Sequence, residues 1–382
     1  MVMSKIIRSI SSSVSADLQK KMIFISGPRQ VGKTTFALSF LKSPKKIATS
    51  YLNWDSLLDR SLIKTEQLPS QEPLIIFDEI HKYARWRNLI KGLYDKYHFQ
   101  THFIVTGSAK LDYFRKGGDS LLGRYYHYRL HPLSALELNK KPTISDVNHL
   151  LKFGGFPYPL FAGSEVEWKR WQNERKHKII YEDLRDLENV REISLIDLLM
   201  DALPARVGSP LSVKALAEDL QVNHASVVRW LEILERLYMC FRIAPYGAPK
   251  IRAVKKEQKL YLWDWSSCQD EGAKFENMVA CQLLKHCHYQ EDVLGEKMEL
   301  RYLRDNDKRE VDFIVLKDKK PQFAVECKLN DVNLSPHIKY FCERTTIPQF
   351  YQVHLGNKDF GNPNTIGRSL PYTQFVKELQ LL

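Results

Sequence analysis

Gly27-Pro28-Arg29-Gln30-Val31-Gly32-Lys33-Thr34-Thr35 sets glycines on both sides of a four-residue gap and follows them with a lysine and two hydroxyls. Glycine takes positive φ at little steric cost, so the chain here can curl until successive N–H groups face inward and surround phosphate oxygens. Lys33 would reach the β and γ phosphates of a nucleotide, and Thr34 would hold Mg²⁺. The nine residues from Gly27 to Thr35 therefore read as a binding loop for ATP with Mg²⁺. A plain Gly-rich turn is the alternative. A second stretch, Pro73-Leu74-Ile75-Ile76-Phe77-Asp78-Glu79, runs four apolar residues into two acids. Asp78 would hold Mg²⁺ through its water shell, and Glu79 would orient and deprotonate an attacking water. Two acids that merely cap a following helix would look the same.

Such chemistry needs strands that deliver these groups to one edge. Met22-Ile23-Phe24-Ile25 precedes the loop as a short apolar strand, and Phe36, Ala37, Leu38, Phe40 and Leu41 follow it at helical spacing. A helix starting near Gly32 would turn its positive dipole end toward the phosphates. Residues 47–52 read as a second strand ending in Asn53-Trp54-Asp55, and the Asp78 run reads as a buried parallel strand. Residues 101–105 form another apolar run that ends in Thr106-Gly107-Ser108, so Thr106 or Ser108 is placed to touch the γ phosphate or the attacking water. Gly123-Arg124 stands just before a further strand at 125–130. Arg124 there is either a finger reaching a neighbouring subunit's site, which would make the chain a homo-oligomer, or half of an intramolecular ion pair.

Taken together, these residues resemble the AAA-type ATPases of bacteria and archaea that carry a C-terminal domain of uncharacterised function. The resemblance rests on the phosphate loop, Asp78-Glu79-Ile80-His81-Lys82, Thr106-Gly107-Ser108, Gly123-Arg124, and Pro132-Leu133-Ser134 with Glu137. It continues through Phe153-Gly154-Gly155-Phe156-Pro157, Tyr181-Glu182-Asp183-Leu184-Arg185-Asp186 and Glu310-Val311-Asp312-Phe313, and so covers nearly the whole chain. It implies ATPase activity and several domains. His81 departs from the glutamine usual in that family, so no nucleotide-sensing role is carried onto it.

The expected fold class is α/β: a P-loop AAA-type ATPase domain over 1–135, a helical lid or linker over 136–190, a winged helix-turn-helix over 191–265, and an α/β nuclease-like domain over 266–382. Ser212 caps a helix to Leu220, and a second helix follows from His224, with Val227, Val228, Leu231, Leu234 and Leu237 at helical spacing. Residues 238–244 and 259–263 would supply the wing. The residues facing outward on the second helix, His224, Ser226, Arg229, Glu232 and Glu235, include one arginine against two acids, a poor surface for phosphate. Subunit or partner packing suits it better. The basic run Lys250, Arg252, Lys255, Lys256 and Lys259 is a better non-specific contact for DNA or RNA, or else a solvated loop.

The order of elements after residue 276 resembles the PD-(D/E)xK nuclease-like core. Strand alternation puts Glu326 and Lys328 on one face, with Asp312 on the neighbouring strand. Asp312 and Glu326 would ligate Mg²⁺ or Mn²⁺, Lys328 would help activate water, and Glu276 could join them. An ordinary salt bridge is the alternative.

Composition agrees with a protein of this kind. The 382 residues allow several domains, each with its own core. A formal net charge of +12 tilts the surface toward polyanions. The six cysteines show no paired C-x-x-C spacing, which speaks for reduced thiols in a cytoplasmic setting rather than a zinc site or disulfide framework. No apolar run approaches a bilayer-spanning length, so no membrane partner is expected. Two functions compete: an ATPase coupled to a nucleic-acid-associated nuclease-like domain, and a nucleotide-dependent switch that recruits a protein partner.

Overall fold

The computed structural model describes residues 6–41, 49–69, 72–107, 121–184, 192–247, 257–305, 307–361 and 365–381. Ser108 and four members of the basic run (Lys250, Arg252, Lys255 and Lys256) lie outside the described residues. The chain divides into two compact units, Met1–His131 with Arg236–Tyr238, and Pro132–Glu235 with Met239–Leu382.

The first unit runs α1 (Ser11–Leu18), β1 (Met22–Ser26), α2 (Lys33–Leu38), β2 (Tyr51–Asn53), α3 (Leu57–Lys64), β3 (Leu74–Asp78), α4 (Trp86–Tyr97), β4 (His102–Thr106) and β5 (Tyr125–Arg129). Its five strands are all parallel, in the order β2-β3-β4-β1-β5. Every residue of β1 and β3 is buried, which is why both read as unbroken apolar runs rather than alternating ones. Insertion of β4 between β1 and β3 aligns Thr106 with Asp78 on one side and Ile25 on the other, at the carboxyl edge. Trp86, Ile90 and Leu93 recur at helical spacing on α4 and pack with Phe24, Phe77 and Phe103 in the core. Each such buried side chain stabilises the unit by roughly 1.5–3 kcal/mol.

The second unit opens with α5 (Ala135–Leu138), α6 (Ile144–Phe153), α7 (Pro157–Ala162), α8 (Glu165–Lys178), α9 (Ile193–Ala202), α10 (Val213–Asp219) and α11 (His224–Arg236). Ser134 with Glu137 and Thr143 with Asp146 form capping boxes that start α5 and α6. Then follow β6 (Cys240–Pro245), β7 (Lys259–Leu262), α12 (Glu271–Leu294), β8 (Met298–Arg304), β9 (Glu310–Lys317), β10 (Lys320–Lys328), α13 (Pro336–Arg344), β11 (Phe350–His354), β12 (Gly367–Pro371) and α14 (Tyr372–Glu378). One seven-stranded sheet holds all of these strands, in the order β12-β11-β10-β9-β8-β6-β7.

β6 and β7 pair antiparallel, as a wing would, but β6 also pairs parallel with β8 at Ala244 and Arg301. The expected wing strands thus extend the C-terminal sheet. At the other edge of β7, the side chain of Asn277 on α12 satisfies both the N–H and the C=O of Leu262, at 2.8 and 2.7 Å. The 207–211 segment covers the rest of that edge through bridges to Leu260 and Lys259. Asp318 and Lys319, both at positive φ, turn β9 tightly into β10. All six cysteines are free, and among the described residues no helix is long and apolar enough to cross a membrane.

Candidate functional site

In the first unit the phosphate loop leaves β1 through Gly27, whose φ of 136° and close approach to Leu130 both require glycine. A Cβ there would lie 2.3 Å from the Leu130 carbonyl oxygen. Gln30 and Gly32 also take positive φ, and the buried side chain of Val31 anchors the loop from beneath. Lys33 lies across the loop, its Nζ donating to the carbonyls of Gly27 at 2.9 Å and Pro28 at 2.8 Å. Pro28, Arg29, Thr34 and Thr35 complete the nine residues, and Thr34 and Thr35 already belong to α2.

Thr34 and Asp78, 44 residues apart in the chain, meet where α2 begins and β3 ends. The Thr34 hydroxyl donates to Asp78 Oδ2 at 2.8 Å. Tyr51, on β2, donates to the same oxygen at 2.7 Å, and Thr106 donates to Oδ1. Burial, followed by the nearby Asp78 charge, raises the Tyr51 pKa and keeps the phenol a donor. The Asp78 carboxylate is 5% exposed and is held by hydroxyls from three different elements. A hydroxyl beside a buried carboxylate at a phosphate loop is a donor set that fits Mg²⁺. Tyr51 was not among the expected site residues. The only signal for it was a tyrosine in the run at 47–52, whose place beside β3 sequence does not reveal.

Glu79 follows in the left-handed conformation (φ 57°), and its N–H donates to the Thr106 carbonyl at 3.1 Å. Its carboxylate lies 3.6 Å from His81 Nε2 and 3.9 Å from Lys82 Nζ. Burial raises its pKa, with Lys33 opposing the rise and Asp78 adding to it. That carboxylate thus lies within the influence of the loop lysine and one residue from Asp78 in the chain. Arg124 makes a two-point pair with Asp95 of the same unit, at 2.6 and 3.1 Å. That is the intramolecular ion pair weighed against a finger.

The second unit brings Glu276, Asp312, Glu326 and Lys328 into one cluster. Glu326 Oε1 accepts from Lys328 at 2.6 Å, and its Oε2 accepts the Asp312 N–H at 3.3 Å. Asp312 Oδ2 accepts the Cys327 N–H at 2.8 Å, and its Oδ1 lies 3.6 Å from the Nζ of Lys259. All four oxygens of the two expected ligands are therefore engaged. Lys259, expected in a phosphate-contacting basic run, is 1% exposed on β7. Its Nζ reaches Glu276 at 3.3 Å and Glu310 at 2.5 Å as well. Burial alone would lower the Lys259 pKa, but Asp312, Glu276 and Glu310 outweigh it and raise the pKa above the usual lysine value. Tyr261 donates to Glu276 at 2.7 Å. As arranged, these residues do not offer a divalent ion a common point of free oxygens. Among the described residues no group of three or more His, Cys, Asp and Glu side chains is set up to hold a metal.

On α11, Val227, Trp230, Leu231, Ile233 and Leu234 are buried, while His224, Arg229 and Glu232 are exposed. Glu235 pairs with Arg242 at 2.7 Å, and Ser226 is half-buried, so the outward surface is smaller than the helical spacing suggested.

Residues 19–139 match the family model described as an AAA domain, and residues 144–269 and 271–375 match two models described as domains of unknown function. The first unit is accordingly an AAA-type P-loop ATPase fold. The chain is 23% identical over 367 residues to an uncharacterized protein of Methanocaldococcus jannaschii, covering 86% of this chain and 80% of that protein. It is 22% identical over 329 residues to an uncharacterized protein of Haemophilus influenzae, covering 77% and 79%. Among solved structures it is similar to the Aeropyrum pernix ORC1 protein in complex with DNA, at 14% identity and a TM-score of 0.35 over 72% of this chain and 94% of that one. The Thermotoga maritima RuvB Holliday junction branch migration motor matches at 15% identity and a TM-score of 0.28, over 61% and 87%.

Proposed function

We propose that the chain binds ATP at Gly27–Thr35 and hydrolyses it with Mg²⁺, using the energy to change what its second unit binds. The observation that carries this reading is the convergence of Thr34, Asp78 and Thr106 beside the loop lysine. Mg²⁺, when bound, neutralises charge on the β and γ phosphates. Thr34 and Asp78 would hold it, and the loop N–H groups would fix the phosphates. Lys33 would leave the Gly27 and Pro28 carbonyls for the γ phosphate. Glu79, its pKa raised by burial, would take a proton from the attacking water, and Thr106 would keep Asp78 oriented throughout.

The test is turnover by the purified chain. Lys33→Ala should abolish it, because it removes the loop's own phosphate-binding ammonium, and Glu79→Gln should retain bound nucleotide while slowing hydrolysis strongly. Unchanged turnover in Lys33→Ala would sink the reading.

For the second unit two uses are open, a nucleic-acid contact and a nucleotide-dependent switch that recruits a protein. The buried Lys259 ammonium among Glu276, Glu310 and Asp312 favours the switch, since it competes with a divalent ion for those oxygens. Stimulation of ATP turnover by added DNA or RNA at moderate salt would support the nucleic-acid use instead.

A further inference from the structure

We infer that Lys259 is the resident cation of the carboxylate cluster formed by Glu276, Glu310 and Asp312, its ammonium occupying the place a divalent ion would need on Asp312 and Glu276. The module then keeps nuclease-like acids in place without the metal chemistry that cuts a phosphodiester. Three observations carry this. The acids come from two elements, Glu276 from α12 and both Glu310 and Asp312 from β9, and all three face one ammonium from β7. The space around that ammonium is closed: the Tyr302 ring lies 5.6 Å away, Tyr261 donates to Glu276, and a Cβ on Gly208 would already stand 3.0 Å from Glu276 Oε2. On the far side of Asp312, Lys328 is held on Glu326 Oε1 and the Cys327 N–H on Asp312 Oδ2.

A magnesium ion needs oxygen ligands at about 2.1 Å and retains several waters. Seated on Asp312 Oδ1 and Glu276, it would have to displace the ammonium that now contacts both. A tethered cation supplies the countercharge these acids require for burial, but it is not a Lewis acid and brings no water. This makes the lysine an alternative to the metal rather than its helper.

The experiment uses the full chain without nucleotide, carrying Asp78→Asn so that the ATPase unit contributes no metal site. With Lys259 intact, Mn²⁺ should show no binding by titration calorimetry that Asp312→Asn removes. Lys259→Met should lower the melting temperature of the second unit by about 6–20 °C, the range for a broken buried ion pair in a unit of this size. Millimolar Mn²⁺ should restore part of that loss, and adding Asp312→Asn should cancel the restoration. Mn²⁺ binding that depends on Asp312 while Lys259 is present would overturn the inference, as would metal-dependent cleavage of DNA or RNA lost in Asp312→Asn. A Lys259→Met chain that melts like its parent, or that Mn²⁺ does not raise, would overturn it too. Should Lys259→Met yield no soluble protein, the titration with Lys259 intact decides alone: no Asp312-dependent binding upholds the inference, and such binding refutes it.

Discussion

Tyr51→Phe removes one oxygen from the phosphate site and leaves the shape of the ring. Tyr51 is 6% exposed and donates at 2.7 Å to an Asp78 oxygen that also accepts from Thr34. The phenyl ring fills the same volume, so no cavity term enters, and the loss is one hydrogen bond to a buried charge, about 1.5–3 kcal/mol. For a unit of about 130 residues that corresponds to a drop in melting temperature of about 5–15 °C without nucleotide. If the lost contact also loosens the Asp78 carboxylate, the Mg²⁺ concentration for half-maximal ATP turnover should rise, by at most about ten- to a hundredfold if all of the lost energy appears there. Calorimetric melting and a Mg²⁺ titration of turnover measure the two effects separately. Thr106→Val, which removes the donor to the other Asp78 oxygen, should shift both in the same direction. Unchanged melting and an unchanged Mg²⁺ requirement in Tyr51→Phe would refute the claim that three hydroxyls hold Asp78 in place.

Stability should also respond to pH. Burial, with the Asp312 charge second, pushes Glu276 up to about 8 and Glu326 up to about 7, against an ordinary carboxyl value of 4.5. Carboxyls raised in the folded state contribute stability that is present below 4.5 and is lost as pH climbs through 7 and 8. The melting temperature of the second unit should therefore fall from about pH 5 to about pH 9, and Glu276→Gln should flatten the upper part of that fall; a rise over the same range would contradict the assignment. Arg124 should prove dispensable for turnover, since its guanidinium is engaged by Asp95 within its own unit. If Arg124→Ala instead abolishes ATPase activity, and mixing with Lys33→Ala chains restores part of it, the arginine acts across a subunit boundary.

The phosphate site was legible because its signals are local. The glycine spacing states the loop's curl, and the apolar runs before Gly27 and Asp78 state that their strands are buried on both faces. Even the strand between them was legible, since residues 101–105 carry the same kind of run. What could not be read was Tyr51, because its role depends on β2 lying next to β3, a neighbour relation set by packing rather than by the residues of either strand. β12 and α14 escaped for a different reason. Gly367–Pro371 contains a glycine and a proline in five residues, both disfavoured in strands, and the parallel pairing with β11 overrides that preference.

The second unit shows how one distant residue can change the chemistry a motif suggests. Along β10, Glu326 and Lys328 share one face and meet at 2.6 Å, and the hairpin brings Asp312 against Glu326. Glu276, offered by the helix before, also arrived. Those residues in that order describe a metal site, and nothing in residues 266–382 argues otherwise. The contrary observation comes from Lys259, expected both in a basic run and at the start of a wing strand, and found buried on β7. Once β6 pairs with β8, β7 becomes the end of the same sheet, α12 crosses it, and a lysine that looked solvated is carried into the middle of the acids. A buried ammonium requires compensating charge, and buried acids require a cation. Each meets part of the other's demand, and Lys259 stands among Glu276, Glu310 and Asp312, where a metal on Asp312 and Glu276 would have to displace it.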